Sequence, residues 1–125
     1  MMRSIFALFS LIFLSSCYQQ EKKCADFKTG EFEFTYTING EEKTSRFIRN
    51  DTLEIDYFEN EIDTNSVRWI NDCEFIVKKI NPTSRNDAKA IHMKILTTSK
   101  NSYTFEYAAV GDKKNKQKGV AKKVK

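Results

Sequence analysis

The sequence predicts an all-β domain, an antiparallel meander of six to eight short strands curled into a small barrel or sandwich. Three observations predict it. Residues 31–38 alternate strictly, with Phe32, Phe34, Tyr36 and Ile38 on one parity and Glu31, Glu33, Thr35 and Thr37 on the other, which is the period of a strand with one dry face and one wet face. Turn-forming residues recur at close spacing through the rest of the chain. Beyond the N-terminal run, no segment repeats its apolar residues at a helical period, and short strands punctuated by turns favour barrels and sandwiches over open layers.

The first strand runs into Asn39-Gly40, the dipeptide best suited to positive φ at both central positions of a type I′ turn, so a hairpin returns through 43–49. Asn50-Asp51 marks the next turn, and Leu53, Ile55 and Tyr57 then alternate with Glu54 and Asp56. Residues 65–69 and 73–80 form two further strands, or one long strand bent near Asn71-Asp72, where the pairing can bulge. Val67, Trp69, Cys73, Phe75 and Val77 share a parity and, without a bulge, a face. Residues 81–87 hold the only proline among other turn formers, so they make the longest clear connection; Ala88 to Ala90 can add a short helical turn. Ile91, Met93 and Ile95 define another strand, residues 99–102 turn, and Tyr103, Phe105 and Tyr107 define its hairpin partner. After Gly111 comes a lysine-rich polar stretch, and residues 120–124 are expected at most as a weak edge strand. Aromatic residues make up 13% of the chain, a density that helps so small a core to exclude water.

The N-terminus is organised differently. Met1-Met2-Arg3-Ser4 carries one positive charge, the apolar run 5–14 follows, and Ser15-Ser16 closes it, the layout of a secretory signal peptide. The run falls short of the roughly 20 apolar residues that a membrane-spanning helix needs. Leu14-Ser15-Ser16-Cys17 resembles the lipobox of bacterial lipoproteins. That resemblance implies a diacylglyceryl group on the Cys17 thiol, cleavage just before it and acylation of the new amino group, and two or more acyl chains hold a protein firmly at a bilayer. Tyr18 stands where an aspartate retains such lipoproteins in the inner membrane, which implies the outer membrane. The other reading is an ordinary signal peptide cut near Ser16 that leaves Cys17 a thiol.

On the lipoprotein resemblance the chain divides into a signal peptide at 1–16, a lipidated tether at 17–26, a β domain at 27–111 and a basic tail or weak edge strand at 112–125. The mature part is long enough for one compact domain and too short for two. With Cys17 taken by lipid, Cys24 and Cys73 remain, and an oxidising compartment joins such a pair; a loop of this size gains ~4 kcal/mol from closure. Thr29-Gly30-Glu31-Phe32 at the head of a meander resembles lipocalin-type folds, with Phe32 where those folds place a tryptophan. That resemblance implies a carrier of a small apolar ligand. As a whole the chain resembles the short, single-domain envelope lipoproteins of unknown function, which implies a non-enzymatic accessory or binding module.

No pattern calls for catalysis, a cofactor or a metal. His92 is the only histidine, so neither a Ser-His-Asp arrangement nor a zinc cluster can be assembled, and its parity places it on a solvent face. The acidic run Asp51, Glu54, Asp56, Glu59, Glu61 and Asp63 lacks the glycine turn of a calcium loop and reads as a solvated face. Arg68 and Trp69 either line a ligand mouth or leave Trp69 as a core anchor beside the disulfide. The formal net charge is +4, concentrated at the C-terminus, where 112–125 holds seven lysines against one aspartate. In an envelope such a segment meets anionic polymers, namely lipopolysaccharide, phospholipid headgroups or peptidoglycan, and not nucleic acid.

Overall fold

The computed structural model describes residues 21–125; the expected signal peptide and lipidation site at Cys17 lie outside them. After a 3-10 turn at Cys24–Phe27 the described residues form eight strands: β1 (Gly30–Ile38), β2 (Glu41–Arg49), β3 (Leu53–Phe58), β4 (Glu61–Asn71), β5 (Glu74–Lys79), β6 (Ile91–Thr98), β7 (Ser102–Ala109) and β8 (Gln117–Lys123). Each pairs antiparallel with the next and β8 pairs back onto β1, giving a closed up-and-down barrel. Closure leaves no sheet edge unpaired.

Local chemistry sets the registers. Asn39 and Gly40 take φ of 51° and 78°, the positive values of a type I′ turn, and this two-residue loop places Phe32 opposite Phe47 and Gly30 opposite Arg49. Glu59 and Asn60 also have positive φ and join β3 to β4 in the same manner. β4 and β5 are two strands of one hairpin, with the register shifting between Trp69 and Asn71. In the 80–90 connection the helical-type turn lies earlier than Ala88, its bond running from Ala88 N–H to Ser84 C=O.

Two boundaries differ from expectation. The segment 112–125 is neither a tail nor an edge: β8 pairs with β7 over six residues' register from Ser102↔Lys122 to Tyr107↔Gln117, and with β1 from Phe32↔Lys123 to Phe34↔Ala121. Its inward positions are small, and that is why it fits. A Cβ at Gly119 would stand 2.6 Å from Phe34 Cε2 and 2.8 Å from Phe105 Cζ, and Ala121 is fully buried. The lysines are absorbed by the outer ladder, where Lys118 faces Glu106 and Lys122 faces Glu33. The domain, in turn, begins before Cys24, whereas the tether is expected to run on to 26. Cys24 and Phe27 are buried in the core cluster with Phe32, Ile95, Tyr103, Phe105 and Ala121, and Lys23 N–H donates to Thr98 Oγ1 at 2.9 Å. The 3-10 turn is therefore a plug across one end of the barrel.

Candidate functional site

The plug is fastened from below by the Cys24–Cys73 disulfide, Cα to Cα 5.2 Å, and from within by Arg49. The Arg49 guanidinium is wholly buried. It donates to the carbonyls of Phe27 (2.6 Å) and Lys28 (3.2 Å), to Glu54 Oε1 (3.1 Å) and to the Tyr103 hydroxyl (3.2 Å). Five rings surround it, the nearest being Phe75 at 4.7 Å and Phe32 at 4.8 Å. A buried cation needs both a counter-charge and acceptors for its remaining N–H groups, and here Glu54, the Phe27 and Lys28 carbonyls and the Tyr103 hydroxyl supply them.

Above this strut the barrel is hollow. A cavity of about 310 Å³ opens to solvent, walled by Phe34, Phe47, Phe58, Phe105, Tyr107 and Met93. Its polar lining is Ser45, Arg49, Glu54, Asp56, Asp63 and Tyr103. A second hollow of about 330 Å³, against the 80–90 connection, shares Glu54, Asp56 and Met93 with it.

The carboxylates are there because β3 is inverted. The acidic run was expected as a solvated face, yet Glu54 is buried and Asp56 half-buried inside the barrel, while Leu53, Ile55 and Tyr57 face outward. Register is the reason. Once Phe47 and Arg49 point inward, the turn at Asn50-Asp51 sets Arg49 opposite Glu54 and Phe47 opposite Asp56, and paired residues share a face. Outside, Ile48 covers Ile55 and the Arg46 guanidinium lies 5.1 Å over the Tyr57 ring. On β4, Asn65 faces Glu54 and Asp63 faces Asp56.

Burial, and then the charge of neighbouring Glu54, pushes the Asp56 carboxyl up to about 7, against the Asn65 amide that donates to its Oδ2 at 2.8 Å. Burial pushes Glu54 up as well, and Arg49 pulls it back. Asp63 has a cation of its own, Lys79 Nζ at 3.4 Å, which also lies 3.7 Å from Asp87.

No family model, curated protein or solved structure matches the chain. The site's chemistry therefore rests on its own residues. Arg68 and Trp69 are not brought together at a mouth. Arg68 is exposed on the outer face, and Trp69 points inward at the plugged end, packed on Phe75 at 4.4 Å with Lys28 5.1 Å over its ring. The Trp69 indole N–H is buried without a hydrogen-bond partner among the described residues. His92 lies on the outer face, its Nε2 3.2 Å from Glu74. Of the C-terminal lysines, Lys116 pairs with Glu106 at 3.1 Å and Lys123 donates to the Asp26 carbonyl at 2.8 Å.

Arg49, Glu54, Asp56 and Asn65 were missed as site residues. A signal for them exists. The Asn39-Gly40 loop fixes the β1–β2 register, and that register places an arginine on the parity of Phe47. A buried arginine then demands a carboxylate across the next turn.

Proposed function

We propose that this chain is a bacterial envelope lipoprotein, held on the outer membrane through acylated Cys17, whose barrel is a non-enzymatic binding module for a small ligand with an apolar body. The observation that carries the reading is the open, aromatic-walled cavity of about 310 Å³, at the lower end of the volumes that ligand pockets occupy. An accessory module that acts only through its surface has no need of a hollow core, so the cavity favours the carrier form of the reading. The plugged end also supports it: the disulfide and the Arg49 strut make the floor rigid, and a rigid floor lowers the entropy lost when a ligand is held. Glu54 and Asp56 sit two apart on one strand and address a ligand from one side, whereas the paired carboxylates of glycoside hydrolysis flank a bond from two. The sole histidine faces away from the cavity, so no lining nucleophile has an imidazole base.

Binding of the neutral fluorophore N-phenyl-1-naphthylamine to the purified full chain tests the cavity. Saturable binding is expected, with a loss of at least tenfold in Ser45→Trp, which fills the hollow from β2 without touching Arg49. Unchanged binding in that variant overturns the reading. For the anchor, Cys17→Ser should abolish incorporation of radiolabelled fatty acid and release the protein from membranes; persistent attachment refutes lipidation at this residue.

A further inference from the structure

A charge count around the cavity leaves one carboxyl without a cation. Asp56 is faced on its own strand by Glu54, from β2 by Arg49 and from β4 by Asp63 and Asn65. β5 and the 80–90 connection contribute Lys79, Asp87 and Lys89; β7 contributes Tyr103 and Tyr107. Arg49 is engaged with Glu54. Lys79 is engaged with Asp63 and Asp87, and Lys89 lies exposed at the rim. Burial pushes the Tyr103 hydroxyl up, so it is neutral near pH 7. The hydrogen bond that the Asp56 carboxylate accepts from Asn65 comes from a neutral amide, and when protonated Asp56 donates to the Glu54 carboxylate beside it; neither brings it a cation. The cavity that it lines is also walled by Phe34, Phe47, Phe58 and Tyr107, aromatic rings whose faces attract a cation. A neutral apolar guest would leave that carboxylate desolvated and uncompensated. A guest with a positive end would complete it.

Resting on the binding reading above, we propose that the ligand is a small organic cation, an ammonium or amidinium on a flat apolar body, and that Asp56 is its counter-ion at the foot of an aromatic wall. The proton is then the ligand's competitor. Asp56 is half protonated near pH 7, so a cation is held well above that pH and displaced by protonation below it. Asp87 is held below its ordinary value by the Thr83 hydroxyl bond and by Lys79, and Asp63 is engaged by Lys79.

A matched pair of probes, 1-naphthylmethylamine and 1-naphthalenemethanol, separates charge from shape, since the two differ only in NH3+ against OH. Calorimetric titration of the purified full chain at pH 8 should show the amine binding at least tenfold more tightly than the alcohol. Between pH 8 and pH 5 the amine should weaken by up to about a hundredfold while the alcohol changes little. In Asp56→Asn the preference for the amine should vanish with the alcohol still bound, and a thermal melt confirms that the variant is folded. Equal affinities for amine and alcohol at pH 8 overturn the cation proposal and leave the cavity reading standing. Binding of neither probe overturns both.

Discussion

Replacing Asp56 with asparagine should stabilise the fold, and it should do so only at neutral and alkaline pH. The Asp56 carboxyl titrates at about 7 in the barrel, against an ordinary value of 3.8. The folded state therefore holds the proton more tightly than the unfolded chain, and stability falls as pH rises from about 4 through about 7. Three pKa units correspond to a ceiling of about 4 kcal/mol; water entering the open cavity screens the charge and brings the expected figure to about 2 kcal/mol. Asparagine keeps the shape and retains an oxygen for the Asn65 amide without ever ionising. At pH 8 Asp56→Asn should gain about 2 kcal/mol, or roughly 10 °C in Tm for a domain this size. The gain should shrink below pH 7 and disappear near pH 4. Urea titrations at several pH values, followed through the fluorescence of Trp69, the only tryptophan, measure it directly. A gain that is independent of pH, or a loss at pH 8, refutes the placement of an uncompensated carboxylate inside the barrel.

Three further outcomes follow from the same geometry. Arg49→Met should cost about 3–5 kcal/mol because Glu54 is left buried without its cation, and adding Glu54→Gln should restore a large part of it; denaturation midpoints of the single and double variants decide. Gly119→Ala should lower stability by about 1–3 kcal/mol through overpacking, read as a drop in Tm, because its methyl meets the Phe34 and Phe105 rings at 2.6 Å and 2.8 Å. Reduction of Cys24–Cys73, which closes a sequence separation of 49, should remove ~4 kcal/mol; a melt in dithiothreitol that matches the oxidised protein refutes a stabilising role for the plug's covalent tie.

The parts of the barrel legible in the sequence are those where one face is apolar and the other is not. β1 and β7 alternate aromatic with polar residues, and Asn39-Gly40 names its own turn, so class, meander and first hairpin follow from local chemistry. β3 was legible as a strand but not in orientation. Its two parities are Leu53, Ile55, Tyr57 and Glu54, Asp56, and hydrophobic patterning alone turns the first set inward. Tertiary pairing with Arg49 reverses that choice, and a one-residue change of facing moves every side chain of a strand. β8 was obscured by lysine, whose long stem tolerates an outer strand face while contributing no apolar signal. Its inward glycine and alanine are legible only with Phe34 and Phe105 already in place. The 3-10 plug is too short to show a period at all.

If the proposed binding holds, the inverted strand ties stability and binding to the same atoms. An interior built for stability alone would hold Ile55 where Asp56 stands, because a desolvated carboxylate opposes folding at the pH where it ionises. Half of the polar cluster has a structural account: Glu54 neutralises Arg49, and Arg49 ties β2 to the plug through the Phe27 and Lys28 carbonyls. Asp56 has only a partial account: protonated, it donates to Glu54, but ionised it has no cation. It binds no plug atom, and its hydrogen-bond partner Asn65 also reaches toward the Glu54 carbonyl at 3.5 Å. On the proposed binding reading, a group that weakens the fold while lining an open aromatic cavity is accounted for by the guest. Asp56→Asn separates the two effects in one variant, raising the melting temperature at pH 8 while removing the preference for a cationic guest, and no purely structural role for Asp56 yields both changes together.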